Sequence, residues 1–182
     1  MSWNNTQERY GALPIALHWF MLLLLAAVYA CMELRGIFPK GSAERDAMKH
    51  WHYMLGLSVL VLAGLRLLLA AVSTTPRIVP ALPGWQAVTA TLMKVALYGL
   101  MLGLPLAGWM ILSASGKPVP FFGFTLPPLI AESKDTADWI KEIHETGATV
   151  GYFLIGLHAL AGLYHHYVVR DNTLKRILWR RA

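Results

Sequence analysis

Four long apolar runs, separated by polar, charged or proline-rich segments, pattern the chain. They cover about 13–33, 50–72, 86–112 and 140–169. Each is long enough for an α-helix to cross a hydrocarbon core, which takes ~20 residues. The segment after the first run carries Lys40, Glu44, Arg45, Asp46 and Lys49. After the second run comes STTPRIVPALPGW, whose prolines cannot continue a helix. Residues 113–138 form the longest connection, apolar and aromatic in its first half and charged in its second. It is expected to lie along the membrane surface and cap the bundle. The pattern predicts an all-α integral membrane four-helix bundle, one domain over residues 1–182.

Composition agrees. Hydrophobic residues make up 56% of the chain and charged residues 14%, with mean hydropathy +0.47. Soluble domains average about 25% charged residues. The single cysteine, Cys31, excludes an internal disulfide, and without a C-x-x-C-H motif any haem is held without thioether links. No small-residue cleavage site follows the first run, which therefore reads as a retained span. The net charge of +6 is concentrated partly in a tail with Arg170, Lys175, Arg176, Arg180 and Arg181. By the positive-inside rule that tail is cytoplasmic, and with four spans so is the N-terminus. The tail reads as a topology signal, not a nucleic-acid site.

The candidate chemistry lies in histidines. His144, His158 and His165 occupy the fourth run at spacings of fourteen and seven. At ~100° per residue all three fall near one face, with His144 and His158 ~21 Å apart along the axis. Gly147, Gly151 and Gly162 share that face and leave room for something flat and bulky. A lone membrane histidine often only bonds a neighbouring helix. Three on one face, with partners at matching depths elsewhere, point to function. The predicted topology supplies those partners. His18 matches His158 in the cytoplasmic leaflet, and His52 matches His144 in the periplasmic one. Two bis-histidine pairs suit two haems. His50 is two residues from His52, on a different face and nearer water, and His166 points away from the His165 face to the interface. Arg66 lies fourteen residues after His52. It either snorkels to the cytoplasmic interface or pairs with a haem propionate. The third span has no histidine; its glycines and Pro105 read as packing and a kink.

LHW at 17–19, CMELRGIFP at 31–39 and HETGATVGYFLIGLHALAGLYHHY at 144–167, with DNTL at 171–174, resemble the bacterial cytochrome b561 family, and in particular its superoxide-oxidising members. The resemblance covers nearly the whole chain. It implies a multi-pass protein of the bacterial inner membrane with two haem b groups, their iron held by His18, His52, His144 and His158. It also implies a quinone site, for which His165 is the candidate. An imidazole titrates near ~6.5 when free, and can both bond a quinone carbonyl and exchange protons. The implied activity is superoxide:ubiquinone oxidoreduction: superoxide, ubiquinone and the lipid bilayer are the expected partners, and no protein partner is required. Arg35 and Lys141 flank the expected site of electron entry.

Two other functions compete. One is an electron-transfer subunit linking a dehydrogenase or hydrogenase partner to the quinone pool. The other is a histidine-based proton or metal transporter, which a b-type haem spectrum would exclude.

Overall fold

A computed structural model describes residues 3–178. Arg180 and Arg181, part of the basic tail, lie outside the described residues. The chain is mostly helical, and four helices are long and apolar enough to span a membrane. They are α1 (Ala12–Leu34), α2 (Ala43–Val72), α3 (Gly84–Ala114) and α4 (Lys134–Tyr164). A short 3₁₀ turn, Arg35–Ile37, ends α1, and a π-type turn, His165–Val169, ends α4.

Two helices begin earlier than their apolar runs. α2 starts at Ala43, where the hydrophobic pattern put the start near residue 50. Ser42 caps it by accepting the Arg45 backbone N–H at 3.3 Å, and Glu44 and Asp46 sit in the first turn. α4 starts at Lys134 in the same way, capped by Ser133 on the Thr136 N–H at 3.3 Å with Asp135 in its first turn. Capping and acidic first turns extend a helix beyond its apolar part, and hydropathy does not register them. Pro105 lies inside α3 without ending it.

The connection after α3 is not wholly irregular. Val119–Phe121 (β1) and Phe124–Leu126 (β2) pair antiparallel, with Val119 opposite Leu126. Phe122 and Gly123 both take positive φ, 44° and 88°, as a two-residue hairpin turn demands. Val119 packs with Leu57 of α2 and Leu112 of α3, so the hairpin is seated on the bundle's flank. The Trp109 indole donates to the Pro127 carbonyl at 3.0 Å and holds the following chain down.

A second apolar cluster, Met21, Leu24, Val59 and Ala63, joins α1 to α2. Backbones pack directly between α1 and α2, α2 and α3, and α3 and α4. Among the described residues, no Cα of α4 comes within 8 Å of one in α1 or α2. Packed helices normally sit 8–10 Å apart axis to axis. α4 is therefore held off from the two helices whose histidines it faces.

At the end where the termini meet, three remote segments bond together. Asn5 donates to the Thr74 carbonyl at 2.8 Å, and the Arg77 N–H to the Gln7 carbonyl at 2.8 Å. The Asn172 side chain accepts the Val79 N–H at 2.9 Å. Arg176 donates to the Pro76 carbonyl and stacks on Tyr10 at 5.7 Å.

Candidate functional site

His18, two turns into α1, faces His158 of α4 with ring centroids 6.2 Å apart. The Arg66 guanidinium of α2 comes within 3.4 Å of His18 Nδ1 and 6.0 Å of the Tyr98 ring. Trp19, next to His18, donates its indole N–H to the Ile177 carbonyl at 2.9 Å and ties α1 to the tail.

His52 of α2 faces His144 of α4, again with centroids 6.2 Å apart. His52 Nδ1 lies 3.1 Å from the Val28 carbonyl of α1. A carbonyl can only accept, so Nδ1 carries the proton and Nε2 keeps its lone pair for a metal. The His144 ring rests over Gly108 of α3, where a Cβ would lie 3.5 Å from Cε1. His144 Nδ1 is buried, with the Leu104 backbone of α3 as its polar neighbour. Arg35 lies close enough to bear on His52 electrostatically, and its buried Nε has no partner either. His50 is exposed.

Between the two pairs, tyrosines bridge the α1–α4 gap. Tyr29 donates to the Ala148 carbonyl at 2.8 Å, and Tyr152 donates to Glu33 at 2.7 Å. Their rings are 4.3 Å apart. Tyr29 stands eleven residues after His18, within ~20° of its face, which is the signal that would have found it. Gly151 exists for this contact, because a Cβ there would strike the Tyr29 hydroxyl. At Gly147 a Cβ would meet the Leu104 side chain at 2.7 Å. Those two glycines therefore serve side-chain packing, whereas Gly162 faces open space.

The pairs can be tested against a haem. A metal–imidazole bond of ~2.0 Å plus ~1.1 Å from ring nitrogen to ring centre puts two axial imidazoles about 6.2 Å apart, centre to centre. Both pairs have that separation. Among the described residues, no three His, Cys, Asp or Glu side chains converge as a bare ion would need. A two-imidazole set suits an iron whose other ligands come from a macrocycle. The spacing of both pairs suits haem, and the proton arrangement at His52 suits it as it stands, whereas at His18 the Arg66 contact would have to change.

Residues 9–180 match the family model described as prokaryotic cytochrome b561. The chain belongs to the prokaryotic cytochrome b561 family. Members are electron-transport proteins that bind b-type haem. Cytochrome b561 homolog 1 of Escherichia coli (strain K12) is 46% identical over 174 residues, 96% of this chain and 99% of that protein. The probable superoxide oxidase CybB of Yersinia pestis is 37% identical over 171 residues, 94% and 96% of the two chains. Cytochrome b561 homolog 2 of Escherichia coli (strain K12) is 29% identical over 183 residues, 98% and 95% of the two.

The remaining candidates are not members of either pair, and Lys141 precedes His144 by one turn of α4. Lys141 forms an exposed i,i+4 pair with Glu145 at 3.1 Å. His165 Nδ1 lies 2.6 Å from Asp171 Oδ2, and Asp171 is buried at 1% exposure. Asp171 Oδ1 accepts the Thr173 N–H at 2.8 Å. Burial works to raise the Asp171 carboxyl, but bonds from the Thr173 N–H and the His165 ring outweigh it and hold the group below its ordinary value. Asp171 follows Arg170 in left-handed conformation, φ 60°, within the sequence RDNT. That run of turn formers was the available sign of an Asx turn. His166 is half-buried, its ring 4.8 Å from that of Tyr167 and its Nδ1 without a hydrogen-bond partner.

Proposed function

We propose that the chain is a di-haem b-type cytochrome of the bacterial inner membrane that oxidises superoxide at its periplasmic side and reduces ubiquinone. The observation that carries the reading is the twofold repetition of one geometry: two histidine pairs, each 6.2 Å between ring centres, at the two ends of a gap between helices. His18 with His158 would hold one haem, and His52 with His144 the other. Haem supplies one-electron chemistry when bound. The balance is two superoxide anions yielding two O₂ and two electrons, and one ubiquinone taking two electrons and two protons to the quinol. The named activity of the 37% identical relative supports the donor. Both termini are cytoplasmic in this reading, which puts the His52 pair on the periplasmic side and the His18 pair on the cytoplasmic side.

The chain's own groups have defined tasks. The Val28 carbonyl fixes the His52 tautomer. To hold iron through Nε2, His18 would carry its proton on Nδ1, where a guanidinium N–H can no longer be accepted, so Arg66 would have to turn away from that atom. The guanidinium would then be available to a haem propionate. Arg35 and Lys141 provide positive charge near the His52 pair, and His165 serves the quinone.

The test is superoxide-driven reduction of ubiquinone by the purified haem-loaded protein in detergent. Two b-type haems per chain and quinol formation dependent on superoxide are expected. Haem content of two with no reduction by superoxide would leave an electron-transfer cytochrome without this donor, and a soluble partner co-purifying at one per chain would identify it as a subunit.

A further inference from the structure

We propose that Asp171 is a positioning residue for proton delivery to the reduced quinone, acting through His165. The inference rests on the quinone reading above and deepens it. Asp171 is buried, yet it spends one carboxylate oxygen on His165 Nδ1 at 2.6 Å and the other on the Thr173 N–H at 2.8 Å. A carboxylate only accepts, so His165 carries a proton on Nδ1 and turns Nε2 into its exchanging atom. A carboxylate behind an imidazole fixes tautomer and ring orientation and stabilises the imidazolium. In this arrangement His165 Nε2–H gives a proton to the quinone oxygen as the quinone takes its electrons. Water at the cytoplasmic face then reprotonates Nε2. Two such transfers supply both protons of the quinol.

The placement favours this over a purely structural bond. The five-residue π-type turn and the left-handed Arg170 bring residue 171 back beneath residue 165. A helix continued through 171 would carry it away along the axis. The turn's closing bond, Asp171 N–H to the His165 carbonyl at 3.2 Å, joins the same two residues. The surroundings contain other titratable and charged groups. Tyr164 lies edge-on to His165 at 6.0 Å, and His166 is on the same turn. Arg170, Lys175 and Arg176 come from the tail, Arg77 from the α2–α3 connection, and Tyr10 from the N-terminal arm. Arg176 is committed to the Pro76 carbonyl and Tyr10, and no ion pair to Asp171 other than His165 is present among the described residues.

The test separates haem reduction from haem reoxidation. Haem-loaded protein is reduced with superoxide, then mixed with ubiquinone-1 by stopped flow between about pH 5 and 8, the range over which an imidazole titrates. Asp171→Asn keeps an acceptor for the Thr173 N–H, so a structural role predicts wild-type behaviour. But its amide can donate to His165 Nδ1 and reverse the tautomer. The expected result is normal haem content and normal reduction by superoxide, with reoxidation by ubiquinone-1 slowed roughly 10- to 100-fold. Asp171→Glu should recover most of the rate. His165→Gln, which leaves the Asp171–Thr173 bond in place, should flatten the pH dependence of reoxidation. Wild-type reoxidation in Asp171→Asn, or an unchanged pH profile in His165→Gln, would overturn the proposal. Wild-type protein whose haems ubiquinone-1 does not reoxidise would instead remove the quinone reading beneath it.

Discussion

The two histidine pairs share one separation but differ in what stands behind them. His52 Nδ1 meets a backbone carbonyl, Val28, at 3.1 Å. His18 Nδ1 meets the Arg66 guanidinium at 3.4 Å. The first contact would be compatible with iron on Nε2; the second would not, and Arg66 would have to change partner. The difference teaches that equal spacing does not make equal sites. In the proposed reading His52 already carries its proton where a haem ligand would need it. In the same reading the Arg66 guanidinium beside the His18 pair would favour the less positive, reduced state of an iron held there. In the proposed direction of flow, from the His52 side to the His18 side, that asymmetry runs downhill.

The largest expected effect comes from deleting one member of a pair. His158→Ala should remove one haem and leave most of the other, and His144→Ala should do the reverse, read by pyridine haemochrome stoichiometry. His50→Ala should keep both. Loss of both haems or neither in the two pair variants would break the independence of the sites.

Next in size is Arg66→Gln. It should retain both haems and lower the midpoint potential of the His18-side haem relative to the other. An unshifted titration would show that the guanidinium does not distinguish the pairs.

A smaller effect concerns the His52 side, where anion steering is assigned to Arg35 and Lys141. Arg35→Gln with Lys141→Gln should slow haem reduction by superoxide several-fold at low salt, as loss of local positive charge slows capture of an anion. The wild-type rate should fall as salt rises, because exposed charges are screened beyond ~10 Å at 0.1 M. Glu145 already pairs with Lys141 and limits its share. Equal salt dependence in wild type and double variant would move the steering elsewhere.

The smallest effect belongs to Asp171, at the end beside the His18 pair. Its folded-state carboxyl lies below its ordinary value of ~3.9. A depressed acid stabilises the fold above its unfolded value and loses that contribution as pH falls through the folded one. Melting in detergent, followed from pH 6 down to 3, should therefore drop below about pH 4 by more in wild type than in Asp171→Asn. Parallel curves would show that the carboxylate gives no pH-dependent stability.

Sequence by itself determined the elements that obey a period or a length. Four apolar runs of spanning length became four helices because hydrophobic thickness and helical rise are local quantities. His158 follows His144 by fourteen residues and is on its face for the same reason. The pairing of His18 with His158 and of His52 with His144 was legible because alternating span directions convert position in sequence into depth. Tertiary structure decided what depends on residues remote along the chain. The Val28 carbonyl behind His52, the Tyr29–Tyr152 bridge and the Trp19–Ile177 tie join positions 24, 123 and 158 residues apart. No period connects such residues; only helix packing brings them to one place. The hairpin at 119–126 escaped because its strands are three residues each, too short for alternation to show. Asp171 escaped for a different reason. Its partner is six residues away, but the contact needs a π-type turn and one left-handed residue, a backbone path that side-chain pattern does not encode.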